Sequence, residues 1–178
     1  GHRRRSARSP PTASLAAARQ GLRVLLVEGR SRLGSTGTSG LVSHWLGGRF
    51  PDGRWVVGGL FREMAEEAAA QGFALLPEAG AGQVYTPHGW YLGLIHGVPF
   101  DPFAMARYLD AKMCREGVDC LLVTQAVDVL VEGDRITHVI VFNKGGLQAI
   151  PARAVVDATG DADIAVRSGC ETVKGREE

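Results

Sequence analysis

The chain is 178 residues long, with 20 Lys+Arg against 19 Asp+Glu, 45% hydrophobic residues, 24 Gly and 3 Cys. That size and apolar content suit a domain able to bury a core, and a net charge of +1 excludes disorder over the whole chain. No run of ~18 apolar residues is present to span a membrane, and Cys114, Cys120 and Cys170 are too few, and odd in number, for a disulfide scaffold.

Charge is concentrated at the start. Residues 1–20 hold Arg3, Arg4, Arg5, Arg8 and Arg19 and no acid, so the rest of the chain carries −4. The opening GHRRRSARSPPTAS has no apolar core of a secretory signal and no initiator Met, and is expected to be a basic, disordered leader over residues 1–14. A short helix is expected over Leu15–Gln20, with Ser14 as its cap and Gly21 as its stop. RVLLVE, residues 23–28, is a near-continuous apolar run ending in an acid, which fits a strand buried on both faces. GRSRLGSTGTSG, residues 29–40, reads as a loop or loop–helix junction.

A second helix is expected over Gly58–Gln71, with Leu60, Met64 and Ala68 on one face. Residues 73–100 mix aromatics, Pro and Gly and read as short strands with turns. Asp101-Pro102 pairs a capping acid with a first-position proline, and starts a helix reaching about Glu116 whose inner face is Phe103, Ala106, Leu109 and Met113. VDCLLV, residues 118–123, is another buried strand. Alternating runs on either side of Glu132-Gly133-Asp134 signal a hairpin, and GGLQAIPA adds a third strand, giving a β-meander from about Ala126 to Ile150. AVVDA, residues 154–158, is the last apolar run and is expected to join the sheet of RVLLVE and VDCLLV. The tail from residue 174 to 178 is polar.

Helix, apolar strand and terminal acid together form the second half of a βαβ nucleotide-binding unit. In that unit the acid accepts hydrogen bonds from ribose hydroxyls, and Glu28 stands at its position. An ordinary strand-end glutamate facing water would look the same. The glycine loop that should precede the helix, G-x-G-x-x-G, is missing: HRRRSARSPPTAS contains no glycine. Codons chosen as GGT-CAT-CGT-CGT-CGG for Gly1–Arg5, read one base later, would give Val-Ile-Val-Val-Gly, the start of a strand and glycine turn.

Four stretches in order, LAAARQGLRVLLVEGRSRLGSTGTSGLVS, VVGGLFREM, VPFDPFAMARYLDAKMCREGVDCLLVTQAVDVLVEGDRITHVIV and VVDATGDADIAVRSG, resemble the N-terminal part of the FAD-dependent oxidoreductase family that includes relatives of heterodisulfide reductase. The resemblance covers residues 15–173 and implies an α/β, Rossmann-like FAD-binding fold, incomplete at both ends and carrying a β-meander insertion. It implies FAD as cofactor, with hydride or electron transfer between an unknown substrate and an unknown acceptor. Residue by residue, it places Glu28 on the adenosine ribose with Arg30 near the same end, and Gly34, Ser35 and Thr36 along the pyrophosphate and ribityl. It places Gly37, Thr38, Ser39 and Gly40 against the isoalloxazine, Ala126 and Val127 against adenine, and Thr159, Gly160 and Asp161 in a turn closing over the nucleotide. No catalytic residue follows from it.

Other chemistry is weaker. Asp157, Asp161 and Asp163 lack calcium-loop spacing, so a turn-stabilising role is favoured. His44, His88, His96 and His138 are scattered, so no metal site is expected. His44, four residues beyond the glycine loop, is a candidate proton donor near a flavin. Three separated cysteines form no iron–sulfur motif. No nucleic-acid or membrane partner is expected, free thiols favour the cytoplasm, and a second copy or a redox partner protein stays open. The competing readings are an inactive flavoprotein fragment without its pyrophosphate loop, and a basic-armed interaction module.

Overall fold

The computed structural model describes residues 10–50, 53–76, 97–173 and 175. In chain order the elements are α1 (Pro10–Ala18), β1 (Leu25–Val27), α2 (Ser35–Thr38), β2 (His44–Trp45), α3 (Gly59–Ala70), β3 (Val98–Pro99), α4 (Pro102–Arg115), β4 (Asp119–Leu121), β5 (Gln125–Glu132), β6 (Arg135–Asn143), β7 (Gly146–Pro151) and α5 (Asp163–Arg167). They divide into two compact units: residues 1–31 with 118–178, and residues 32–117.

In the first unit β1 and β4 pair in parallel, with Leu25, Leu26 and Val27 opposite Asp119, Cys120 and Leu121. The pairing continues past both strand ends, since Glu28 N donates to Leu121 O at 2.9 Å and Thr124 N donates to Glu28 O at 3.0 Å. Helix α1 packs on β1, with Leu15 fully buried and Leu26 3% exposed. Burial of each such leucine is worth roughly 1.5–3 kcal/mol. The helix starts at Pro10, not at Leu15 as expected, and Ser14 is a buried interior residue rather than its cap. Pro10 and Pro11 sit in the first turn, where a missing N–H breaks no helical bond.

The meander has the order β5-β6-β7, all antiparallel. Gly133, with φ +62°, takes the first position of the two-residue connection between β5 and β6, a conformation that glycine adopts without strain. Its inner face is built on Val129 and Val141, 8% and 0% exposed. The ladder is interrupted between Ala126 and Asp128, which pair with the adjacent Val141 and Ile140. Val127 is therefore the extra residue of a β-bulge. Helix α5 packs against β5.

One expected strand is absent. Residues 154–158 belong to no strand, and Val156 is 67% exposed. The physical reason lies in Asp157, whose carboxylate collects downstream amides into a local turn that competes with strand pairing.

In the second unit α3 buries Met64, Ala65 and Ala68 and α4 buries Met105, Leu109 and Met113, and side-chain bonds join the two helices. Asp101 caps α4 as its sequence requires, its Oδ1 accepting from Ala104 N at 2.6 Å, with Pro102 at the first position. Phe103 departs from the expected inner face: it is 52% exposed, and the Arg32 guanidinium lies 5.3 Å from its ring centre. Position 103 precedes the buried stripe of 105, 106, 109 and 113 and points away from it. The apolar face of α4 also admits a cation. Lys112 is 3% exposed, and its Nζ donates to Glu63 Oε1 at 2.7 Å and Glu67 Oε2 at 2.9 Å on α3. A short antiparallel pair, β2 with β3, completes the unit, and Ala74 bridges to Phe100. Most of the strands and turns expected over residues 73–100, with His88 and His96, lie outside the described residues, as do Arg3–Arg8 of the leader and most of the polar tail.

Candidate nucleotide site at the carboxyl edge of the parallel strands

Parallel strands of an α/β fold present their ligand sites beyond their carboxyl ends. At that edge of the β1–β4 pair the chain places Glu28. Its Oε1 accepts from Arg30 N at 2.9 Å, which folds the residues after β1 into a tight turn. Its second carboxylate oxygen has no hydrogen-bond donor among the described residues. Val123 N donates to Arg30 O at 3.0 Å, so the turn after β1 is tied to the segment after β4. Gly29 runs close to that segment, and a Cβ there would lie 3.5 Å from Gln125 Cγ.

The segment after β4 is itself unusual. Val123 has a φ of +51°, a left-handed conformation uncommon for a β-branched residue. Thr124 next to it is 2% exposed; its Oγ1 donates to Leu122 O at 2.9 Å and accepts from Asn143 Nδ2 at 3.3 Å. This threonine locks the start of β5, from which Ala126 and the bulged Val127 follow. Sequence reasoning missed Val123, Thr124 and Asn143; the only signal was a lone hydroxyl residue between two apolar runs. Glu28, Arg30, Ala126 and Val127 thus lie in one unit, with Glu28 and Arg30 joined by backbone hydrogen bonds to Thr124 and Val123, just upstream of Ala126 and Val127.

Thr159, Gly160 and Asp161 are exposed and form the turn before α5. Asp157 builds that turn. Its Oδ1 accepts from Thr159 N at 2.9 Å and Thr159 Oγ1 at 2.8 Å, and its Oδ2 accepts from Ala165 N at 2.9 Å. Thr159 Oγ1 in turn accepts from Asp163 N at 3.0 Å. Burial alone would raise the Asp157 pKa, but the donors of Thr159, Ala165 and Ile164 outweigh it and hold the carboxyl below its ordinary value. Asp157 is a turn-forming residue, as its sequence context suggested. Among the described residues no cluster of His, Cys, Asp and Glu could hold a metal ion.

The remaining nominated residues belong to the second unit. Gly34 has a φ of +95° and opens α2, and a Cβ there would lie 2.5 Å from Thr38 Cγ2. Thr38 is fully buried, its hydroxyl donating to Leu33 O. Gly37 lies against Phe100, where a Cβ would come within 3.1 Å of the ring, and Gly40 against the Thr36 carbonyl, at 2.7 Å. These small residues allow the loop to close on itself and on the Trp45–Phe100 pair, whose ring centres are 4.7 Å apart. Ser35, Thr36 and Ser39 lie on α2 and at its end. His44 stands on β2, where burial lowers its pKa and favours the neutral imidazole.

An acid at the end of a parallel strand and a helix packed behind that strand are the arrangement of a dinucleotide-binding type of α/β protein. The sequence profile of the family described as FAD dependent oxidoreductase matches residues 10–178, and the chain belongs to that family. FAD is the cofactor that this membership carries. Among solved structures, the chain is similar to THI4 of Thermovibrio ammonificans, with 18% identity and a TM-score of 0.54 over 90% of this chain and 58% of that one. It is also similar to a geranylgeranyl bacteriochlorophyll reductase-like protein of Thermoplasma acidophilum, with 17% identity and a TM-score of 0.51 over 82% of this chain and 36% of that one. A third likeness is to CabE, an aromatic hydroxylase from angucycline biosynthesis, with 16% identity and a TM-score of 0.50 over 91% of this chain and 32% of that one. These likenesses concern the fold. The chain spans less than two thirds of the length of each of the three. No curated protein matches the sequence.

The residues present fit the nucleoside end of FAD in their chemistry: the Glu28 carboxylate has an oxygen to spare of the kind ribose hydroxyls donate to, and the bulge leaves a backbone position outside the ladder. For the pyrophosphate end the sequence offers no glycine between His2 and Gln20.

Proposed function

We propose that this chain forms the adenosine-binding portion of an FAD-dependent oxidoreductase that moves a hydride or electrons between a small-molecule substrate and an acceptor. One observation carries the reading: Glu28, at the carboxyl edge of a parallel strand pair, accepts at its carbonyl from Thr124 N, the residue that leads into β5 and its bulge at Val127. Glu28 accepts from the ribose hydroxyls through the oxygen that Arg30 leaves free, and Arg30 lies at the same adenosine end. Ala126 and Val127 offer backbone groups to the adenine edge, and the turn of Thr159, Gly160 and Asp161 closes the nucleotide from the side of α5. In the second unit, Gly34, Ser35 and Thr36 serve the pyrophosphate and ribityl, and Gly37, Thr38, Ser39 and Gly40 the isoalloxazine. When bound, the flavin supplies the hydride and electron chemistry, and the protein's share is binding and orientation. Among the described residues no helix is long and apolar enough to cross a membrane, and three free thiols favour a reducing compartment such as the cytoplasm.

The absence of glycine from His2 to Gln20 supports a second reading, in which this chain does not retain the cofactor. Titrating FAD and FMN separately into the purified chain, followed by flavin fluorescence, decides between them. Binding of FAD in preference to FMN, with ADP competing, supports the adenosine site. Equal uptake of both flavins removes it, and no uptake of either favours the second reading.

A further inference from the structure

The far end of β5 carries a second feature, away from the rim at Val127. A cleft of about 300 Å³ opens beside the β5–β6 turn, between the hairpin and the C-terminal end of α5. Two arginines line it, Arg135 at the start of β6 and Arg153 just after β7, with Val131 and Ile136 as apolar surface. Ser168 and Cys170 line it from the α5 side. Asp134 adds one negative charge to the lining, leaving it net positive. Neither guanidinium forms an ion pair or a hydrogen bond with any described residue. Ser168 Oγ already donates to Ala165 O at 2.8 Å, and Cys170 Sγ lies 3.4 Å from it.

Two guanidinium groups without a described partner, beside an apolar wall, are complementary to an anion with an apolar body. Arginine presents planar, paired donors that match a carboxylate or phosphate, while Val131 and Ile136 cover the hydrocarbon. We propose that this cleft is a binding site for a small organic anion, an aryl or alkyl phosphate or carboxylate, separate from the nucleotide rim. Between Val127 and Val131 the strand advances by about 13 Å at the usual rise per residue, so the two sites are distinct along β5. The proposal does not depend on the flavin reading. Both arginines are exposed, so binding is salt-sensitive and modest in strength.

Cys170 makes the site readable, because it lines the cleft and is an exposed free thiol, while Cys114, exposed on α4, serves as internal reference. The full chain is alkylated with neutral N-ethylmaleimide in the presence of phenyl phosphate, and modification of each cysteine is followed by peptide mass spectrometry at constant ionic strength. With the probe at ten times its dissociation constant, Cys170 alkylation slows by about tenfold and Cys114 is unaffected. Inorganic phosphate protects less than phenyl phosphate, and benzyl alcohol, which lacks the charge, protects little. Arg135→Gln with Arg153→Gln abolishes protection; because both positions are exposed, the double variant keeps the fold, which circular dichroism verifies. Equal protection by benzyl alcohol, equal slowing at Cys114, or protection that survives the double substitution overturns the proposal.

Discussion

Asp157 and Thr159 form a closed relay: the Thr159 hydroxyl donates to Asp157 Oδ1 at 2.8 Å and at the same time accepts from Asp163 N at 3.0 Å. One carboxylate and one hydroxyl thus satisfy the orphan amides at the start of α5, a five-residue helix whose preceding Ala162 sits at a φ of +61° with no side-chain cap of its own. Asp157→Ala is expected to cost about 1–2 kcal/mol, as for loss of a strong helix cap, measured by urea unfolding at pH 7.

The same carboxylate gives a pH dependence of defined sign. Its folded pKa lies below the unfolded value of ~3.9, so its contribution is complete above that value and disappears as pH falls through the folded one. Acidification from pH 5 to pH 2 should therefore shrink the difference in unfolding free energy between the wild type and Asp157→Ala. A gap that stays constant over that range would contradict the assignment.

Gly34 and Gly21 both have positive φ, +95° and +77°, but only Gly34 is crowded. A methyl group at Gly34 meets Thr38 Cγ2 at 2.5 Å and Leu109 Cδ1 at 3.0 Å, whereas at Gly21 nothing lies within 4 Å. Gly21→Ala is expected to cost about 1–2 kcal/mol, the left-handed backbone term alone. Gly34→Ala adds an overpacking cost of about 1–3 kcal/mol. Thermal unfolding of the two variants should rank them in that order.

Lys112 is buried between two carboxylates that are each about a third exposed, at 33% and 36%. Lys112→Met leaves Glu63 and Glu67 close together without their shared cation. Removing one partner of a fully buried pair costs roughly 3–5 kcal/mol; water at these carboxylates reduces the expectation to about 1–3 kcal/mol. Tyr108, whose hydroxyl donates to Glu67, loses that acceptor's geometry as well. Adding Glu63→Gln and Glu67→Gln to Lys112→Met should recover most of the lost stability in denaturant melts, since the uncompensated charge is then gone.

Glu28→Gln tests the nucleotide rim without dismantling it, because a glutamine oxygen still accepts from Arg30 N. Loss of a charged acceptor for the ribose is worth about 1.5–3 kcal/mol, or roughly 10–150-fold in FAD affinity. The unfolding midpoint should barely move. Unchanged FAD affinity in this variant would remove Glu28 from the site.

Local chemistry with a short range is the most legible part of this sequence. Asp101-Pro102 and Glu132-Gly133-Asp134 dictate a cap and a tight connection through atoms a few residues apart, and both are found at the expected positions. The acid ending RVLLVE is legible for the same reason. AVVDA misleads because apolar composition says nothing of what Asp157 does with its neighbours: three amides and a hydroxyl within eight residues outcompete a sheet partner. Phe103 misleads because a single turn shifts a residue off the buried stripe of α4, where Arg32 covers it. Ser14 resembles a cap only if the two prolines upstream break the helix, whereas a first turn accepts them. Val123, Thr124 and Asn143 escape sequence reasoning because their joint action spans nineteen positions of chain.

Because Ala126 and Val129, three positions apart, pair with Val141 and Val139, two positions apart on β6, the residue inserted at Val127 resets the phase of β5. Removing it would bring Ala126–Val141 and Asp128–Ile140 together as successive rungs and leave every later rung where it is. The sheet is thus spliced so that the bulge and the register are separable: excision of one valine would erase the kink at position 127 and spare the meander that carries it.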